Sequence, residues 1–324
     1  MLIPSAGAGV LYDFGGLRVR SAFRLPGLTP LHEERQDGRS ADIVLSLSSA
    51  PPPVGRHVYQ YLGRYRLAFD ACGDDWVIRH GDEIGVTIAD SGRALQCHCP
   101  DPARLPLLAD IITRRVLPRI SALHGRLPIH AATLGDGQGA TMLLGSSGAG
   151  KSTMTAALAL HLGWDIFSDD MSILDDEGRH MVFPTVPGVS VWQQSQRALG
   201  LPSGDCRPMQ NYEGKVWYAP APAAAPPPQP QPLEAVILLS FDPNGGDIDC
   251  RRLSGPHVLI KVSSQLVAFN PRDTGAIAAL FERVRRLVST IPIYALSYPR
   301  DYQALPAVID TIRRLRIEAP SELV

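Results

Sequence analysis

No apolar run in this chain approaches the roughly 18 residues that a membrane-spanning helix needs. The opening MLIPSAGAGVLYDFGG has neither a basic start nor a sustained apolar core, so no secretory leader is expected and the chain reads as cytoplasmic. Cysteine is scarce: five residues, at 72, 97, 99, 206 and 250, are odd in number and too few for a disulfide framework, which points to free thiols. Cys97-His98-Cys99 is not a metal site on this reading, because neighbours on a strand face opposite ways and no second pair at zinc spacing follows. Net charge is also small, at −1, which gives no general attraction to nucleic acid or an anionic membrane, and neither is expected as a partner.

What is present is ordinary globular composition, 45% hydrophobic and 19% charged over 324 residues, and one sharp motif. Residues 145–152 read GSSGAGKS, a full match to G-x-x-x-x-G-K-[ST]. An apolar strand-like run ends at Leu144, and a helical pattern runs from Lys151 to about Leu162, the context in which such a loop binds phosphate. The nucleotide contacts expected are Gly145, Ser146, Ser147, Gly148, Ala149, Gly150, Lys151, Ser152 and Thr153. Gly145, Gly148 and Gly150 free the backbone so that amides converge on phosphate oxygens. Lys151 would reach the β- and γ-phosphates of ATP, Ser152 would complete the coordination of Mg2+, and Thr153 is close enough to assist.

The pattern along the chain divides it into a β-rich N-terminal region over 1–102, a bridging helix over 103–124, and an α/β P-loop domain over 125–324 with a proline-rich insertion at 219–232. The first region reads as an antiparallel meander of short strands. Leu105, Leu107, Leu108, Ile111, Ile112, Val116, Leu117 and Ile120 give the helix one buried face. In the third region PIHAATL is expected as a strand, turned by Gly135-Asp136-Gly137 to run antiparallel to GATMLLG. WDIFSDD and LEAVILLSFD follow as strands, then a helix over 274–290 with Ala278, Phe281, Val284, Arg285 and Val288 on one side, the strand IPIYALSYP, and a last helix over 305–316.

Asp169 and Asp170 end the strand WDIFSDD, about eighteen residues past Lys151, where the carboxyl edge of the sheet should set them beside the loop. Two adjacent acids there can divide the work, one on Mg2+ or its waters and the other accepting a proton from an attacking hydroxyl. The alternative is a single metal-side aspartate followed by an exposed acid. Asp175-Asp176-Glu177 reads as a solvated turn. His130, alone on an apolar strand, is by spacing more often structural than functional.

The order IHAATL, GSSGAGKST, FSDD resembles the catalytic domain of HPr kinase/phosphorylase, and the chain resembles more closely the related kinases of peptide-maturation clusters, including lasso-peptide kinases. The opening YDFGGLRVRSAFRLPGL, the segment PGVSVW and the closing RLVSTIPIYALSYPRDYQALPAVID carry that second likeness. It implies an α/β P-loop kinase domain of the HPr kinase type, ATP and Mg2+ as cofactors, and a serine or other hydroxyl of a precursor peptide or small protein as acceptor. By matching position it implies Lys151 at the phosphates, Asp169 as general base, His130 near the transferred phosphate, and Ser152 and Asp170 on the metal side. The two aspartates could exchange these roles. It leaves a homo-oligomer open, and a small-molecule kinase and a non-catalytic nucleotide-binding module remain the alternatives. Thr153 stands where HPr kinases usually have Glu, and PTVPGVSVWQQ has no acid where they carry a metal-binding Glu, so HPr itself and the reverse reaction are not implied. Lys215 falls where related proteins often keep a basic residue, either to offset phosphate charge or as a plain surface lysine.

Overall fold

A computed structural model of the chain describes residues 9–31, 40–63, 65–175, 178–209, 212–220, 228–243 and 245–318. It is a mixed α/β structure of two compact units, Met1–Gly125 with Phe269–Arg272, and Arg126–Ala268 with Asp273–Val324. Among the described residues no helix is long and apolar enough to cross a membrane.

The first unit is built on eight strands: β1 (Val10–Phe14), β2 (Leu17–Ser21), β3 (Ile43–Ser48), β4 (Arg56–Leu62), β5 (Arg66–Cys72), β6 (Asp75–His80), β7 (Ile84–Ala89) and β8 (Ala94–His98). They form one sheet in the order β1-β2-β3-β8-β7-β6-β5-β4. The meander holds from β4 to β8, but β3 lies parallel to both β2 and β8, which corrects the all-antiparallel expectation. A parallel neighbour needs a long crossover, and the connection between Ser21 and Ile43 supplies one that strand composition does not announce. The helical segment after β8 packs within this unit as α1 (Leu105–Ile111) and α2 (Leu117–Leu123), joined through a π-helical turn at Ile112–Val116. That extra residue shifts the phase of the apolar stripe, so burial at 111–121 covers almost the whole circumference while Leu105 and Leu107 are only half-buried.

In the second unit β9 (Leu127–Ile129), β10 (Ala132–Gly135), β11 (Ala140–Leu144), α3 (Lys151–Leu162), β12 (Asp165–Ser168), β13 (Ser172–Asp175) and β14 (Met181–Phe183) precede a small sheet of β15 (Val189–Trp192), β16 (Cys206–Pro208) and β17 (Lys215–Tyr218), with α4 (Gln193–Leu199) between β15 and β16. β18 (Gln231–Asp242), β19 (Asp249–Leu253), α5 (Pro256–Ser263), α6 (Thr274–Thr290), β20 (Ile293–Pro299) and α7 (Leu305–Glu318) complete it. β11, β18 and β20 are parallel neighbours, and β10 is antiparallel to both β11 and β12. The carboxyl ends of β11, β12, β18 and β20 therefore share one edge, the usual ligand edge of such a sheet. β11 is buried throughout, its side chains alternating between the layer of α3 and α7 and the layer of α5 and α6, as a central strand's apolar run requires.

Several expectations need correction. PIHAATL is not one strand: it breaks at His130-Ala131, with β9 paired to β13 and β10 to β11 and β12, because Gln265 takes the His130 N–H and Ser172 takes the Ala131 carbonyl. β18 begins two residues earlier than LEAVILLSFD, so Gln231 and Pro232 belong to a strand rather than to the proline-rich stretch, of which 221–227 lie outside the described residues. Asp176 and Glu177 lie outside them as well. On α6 the buried side chains are Leu280, Val284 and Leu287, spaced i, i+4, i+7, while Phe281 and Arg285 are exposed.

The turn between β10 and β11 is anchored to α7. Asp136 accepts from Arg316 Nη2 at 2.8 Å and Nε at 3.1 Å and from the amides of Gln138 and Gly139. Burial alone would push the Asp136 carboxyl up, but Arg316 and the two turn amides outweigh it and hold it below the usual carboxylate range. Asp136→Asn is expected to cost about 1–2 kcal/mol at pH 7. Because the native value is depressed, that gap is full above the unfolded-state value of about 4 and closes as pH falls through the native one. Urea unfolding at pH 7 and pH 3 checks this, and an undiminished gap at pH 3 would contradict it.

Candidate functional site

The loop between β11 and α3 owes its shape to three glycines. Gly145, Gly148 and Gly150 have φ of 154°, 83° and 88°, positive values that glycine adopts without the cost a side chain would bring. Gly150 also has no room for a side chain: a Cβ there would lie 2.5 Å from Tyr298 Oη and 3.0 Å from Phe241 Cζ. Tyr298 and Phe241, from the ends of β20 and β18, stack edge to face and support the loop, and the Tyr298 hydroxyl donates to the Ala149 carbonyl at 3.2 Å. Ala149 is packed, with its own amide on the Ser146 carbonyl. Ser146, Ser147 and Gly148 are exposed.

Lys151 opens α3 and its ammonium donates back to the carbonyls of Gly145 at 2.6 Å and Ser146 at 3.3 Å. Burial lowers its pKa, while the charges of Asp170 and Asp169 pull the other way, which puts both acids within its electrostatic reach. The Ser152 hydroxyl donates to Asp169 Oδ1 at 2.8 Å, and Asp169 Oδ2 accepts from the Ser190 amide of β15 at 2.9 Å. Asp170 instead faces His130, whose Nε2 lies 2.9 Å from Asp170 Oδ1, both side chains being half-exposed. Thus His130, Lys151, Ser152, Asp169 and Asp170 come together at one edge of the sheet. The hydroxyl of Thr153 is engaged with Ser195 of α4, which continues to Tyr302, at 3.1 and 3.0 Å.

The acidic turn is fixed from below by hydroxyls that sequence reasoning passed over. Ser168 and Ser172, which flank Asp169-Asp170-Met171, are 2.8 Å apart, and Thr133 of β10 is 2.6 Å from Ser172. Ser172 donates on to the Ala131 carbonyl, so the break beside His130 and the turn carrying Asp170 share one buried network. Ser190 was also missed, because it acts through a backbone N–H that no residue type signals; the only hint was its place inside PGVSVW. Lys215, noted as a basic residue, sits with its ammonium 4.9 Å from the Trp192 ring centre and 5.6 Å from that of Tyr212.

The residues fit the cofactors that the loop implies. Ser152 and Asp169 offer two adjacent oxygen donors, and Mg2+ commonly takes one or two protein oxygens and completes its shell with phosphates and water. Among the described residues no group of three or more His, Cys, Asp and Glu could form an all-protein metal cage. The positive-φ glycines of the loop and the exposed Ser146–Gly148 stretch suit a backbone cradle, and phosphate oxygens are what such a cradle would hold.

No family model and no curated protein matches this chain. Among solved structures, the HPr(Ser) kinase/phosphatase from Coxiella burnetii is similar at 13% identity and a TM-score of 0.31, over 60% of this chain and 99% of that one. A likeness of that size carries no argument about the site, which rests on its own geometry.

The loop geometry itself can be tested. Ala at position 148 or 150 meets a left-handed backbone penalty of about 1–2 kcal/mol. Gly148→Ala adds nothing further, since no atom lies within 4 Å of its Cβ position, whereas Gly150→Ala must displace Tyr298 and Phe241. Chemical denaturation is expected to show Gly150→Ala less stable than Gly148→Ala by at least about 1 kcal/mol. Equal losses would contradict this packing.

Proposed function

We propose that this protein is an ATP- and Mg2+-dependent phosphotransferase that moves a γ-phosphoryl group to a hydroxyl. The observation that carries the reading is the division of two adjacent carboxylates at the loop: Asp169 on Ser152 and the β15 amide, Asp170 on His130. A serine, or another hydroxyl, of a ribosomal precursor peptide or small protein is the acceptor we infer, supported by the sequence resemblance to peptide-maturation kinases, and the cytoplasm is where such chemistry would run.

Of the two assignments open at the sequence level, the geometry favours the exchanged one. Asp169 and Ser152 hold the metal side, since the serine hydroxyl already points at this carboxylate. Bound there, Mg2+ would neutralise charge on the phosphate oxygens. Lys151 leaves the Gly145 and Ser146 carbonyls and turns to the phosphates, where its charge offsets what builds up as the bond to the departing ADP oxygen breaks. Asp170, oriented by His130, accepts the acceptor's proton as the hydroxyl oxygen forms its bond to phosphorus. The glycine loop and the acidic turn hold these groups on rigid supports, so positioning supplies much of the rate.

Three variants separate the roles. Lys151→Ala is expected to abolish transfer. Asp170→Asn should lower kcat by about 10²–10⁴-fold with ATP affinity unchanged. Asp169→Asn should weaken nucleotide binding in the presence of Mg2+ and leave metal-free binding alone. Calorimetry with and without Mg2+, beside turnover assays, reads all three; full transfer by Asp170→Asn would sink its role as base.

A further inference from the structure

The small sheet beside the site has two unlike faces. Val189, Val191, Val216 and Tyr218 point into the core of the second unit. By strand alternation the other face carries Ser190 and Trp192 from β15, Lys215 and Trp217 from β17, and Arg207 from β16, with Ser190 opposite Trp217, Trp192 opposite Lys215, and Arg207 opposite Trp217 on its other side. This face holds two tryptophans and two cations and has no carboxylate on its strands. Asp205 lies just before β16, near Cys206 and Tyr218, and Glu213 lies in the turn before β17, so the carboxylates stand at the ends of the strands.

Trp192 is 57% exposed, yet it is held: its ring lies against Gly214, where a Cβ would be 3.5 Å away, and under the Lys215 ammonium. Gly188 is likewise kept bare by Trp217, whose ring atoms would lie 2.4–2.8 Å from a Cβ there. An exposed tryptophan held beneath a cation offers contact area at little entropic cost, which is what a recognition surface uses. The face also begins at the chemistry, for Ser190 gives its amide to Asp169, and Trp192 lies two residues further on the same face, about 7 Å along the strand.

We propose that this face of β15, β17 and β16 is the docking surface for the phosphoryl acceptor, and that the segment it takes is an extended, acidic polypeptide. The choice of occupant follows from charge: carboxylate side chains meet Lys215 and Arg207, while the peptide's apolar stems and backbone lie over Trp192 and Trp217. Seated there, its hydroxyl falls at the Asp169-Asp170 turn. This inference rests on reading the site as a kinase.

The test uses the full chain loaded with a non-hydrolysable ATP analogue and Mg2+, and a fluorescent random library of serine dodecapeptides separated into acidic, neutral and basic pools. Fluorescence anisotropy is expected to show the acidic pool binding about fivefold or more tightly than the basic pool. The double reversal Lys215→Glu with Arg207→Glu should invert that preference, and Trp192→Ala should weaken every pool, all with nucleotide affinity and melting temperature unchanged. Equal binding of the pools, no binding of any, or an unaltered preference in the reversal variant would overturn the proposal. So would a loss of nucleotide affinity in Trp192→Ala, which would make the tryptophan a base-stacking residue instead. Turnover of ATP, compared with Lys151→Ala, is scored separately, so a protein that binds acidic peptides without phosphoryl transfer would refute the kinase reading and leave the surface standing.

Discussion

Asp169 is the joint on which the site depends. One of its oxygens receives the hydroxyl of Ser152 at the start of α3 and the other the amide of Ser190 on β15, so a single carboxylate ties the glycine loop's helix, the end of β12 and the small sheet together. Charge-assisted hydrogen bonds of this kind are about twice as strong as neutral ones, and a buried one left unmade is costly. With Asp169 committed in both directions, its neighbour is left to His130. Two carboxylates one residue apart thereby acquire different surroundings, which is the arrangement that lets one act on a metal and the other on a proton.

The fold explains why this joint is where it is. β11 and β12 run the same way because each is antiparallel to β10, so the loop after Leu144 and the turn after Ser168 emerge at one edge. Thr133, Ser168 and Ser172 lock the acidic turn to the strand break that carries His130. Beneath the loop, Tyr298 and Phe241 fill the volume that any side chain at position 150 would need. Side chains of the sheet thus support both the loop and the acidic turn from below.

Much of this was legible in the residues, for identifiable reasons. The glycine spacing of 145–150 followed by Lys-Ser leaves few structural alternatives, and Gly-Asp-Gly at 135–137 encodes its turn directly, so both appear where expected. The position of Asp169-Asp170 beside the loop followed from strand direction alone. Hidden were features made by partners distant in sequence. The break at His130-Ala131 contains no Gly or Pro and is enforced by Gln265 and Ser172; the parallel placement of β3 depends on a crossover; and the Ser190 contact uses a main-chain donor. Which carboxylate faces Ser152 and which faces His130 is likewise decided by tertiary placement, since two neighbouring aspartates carry identical local signals.

The most direct measurement is a crystal structure of the protein with Mn2+ and a non-hydrolysable ATP analogue, the metal located by its anomalous signal. The expected result is the ion between Ser152, Asp169 and the phosphates, with Asp170 still on His130 and Lys151 swung from the Gly145 carbonyl to the phosphates. An ion coordinated by Asp170, with Asp169 free of the metal and facing the acceptor side, would contradict it.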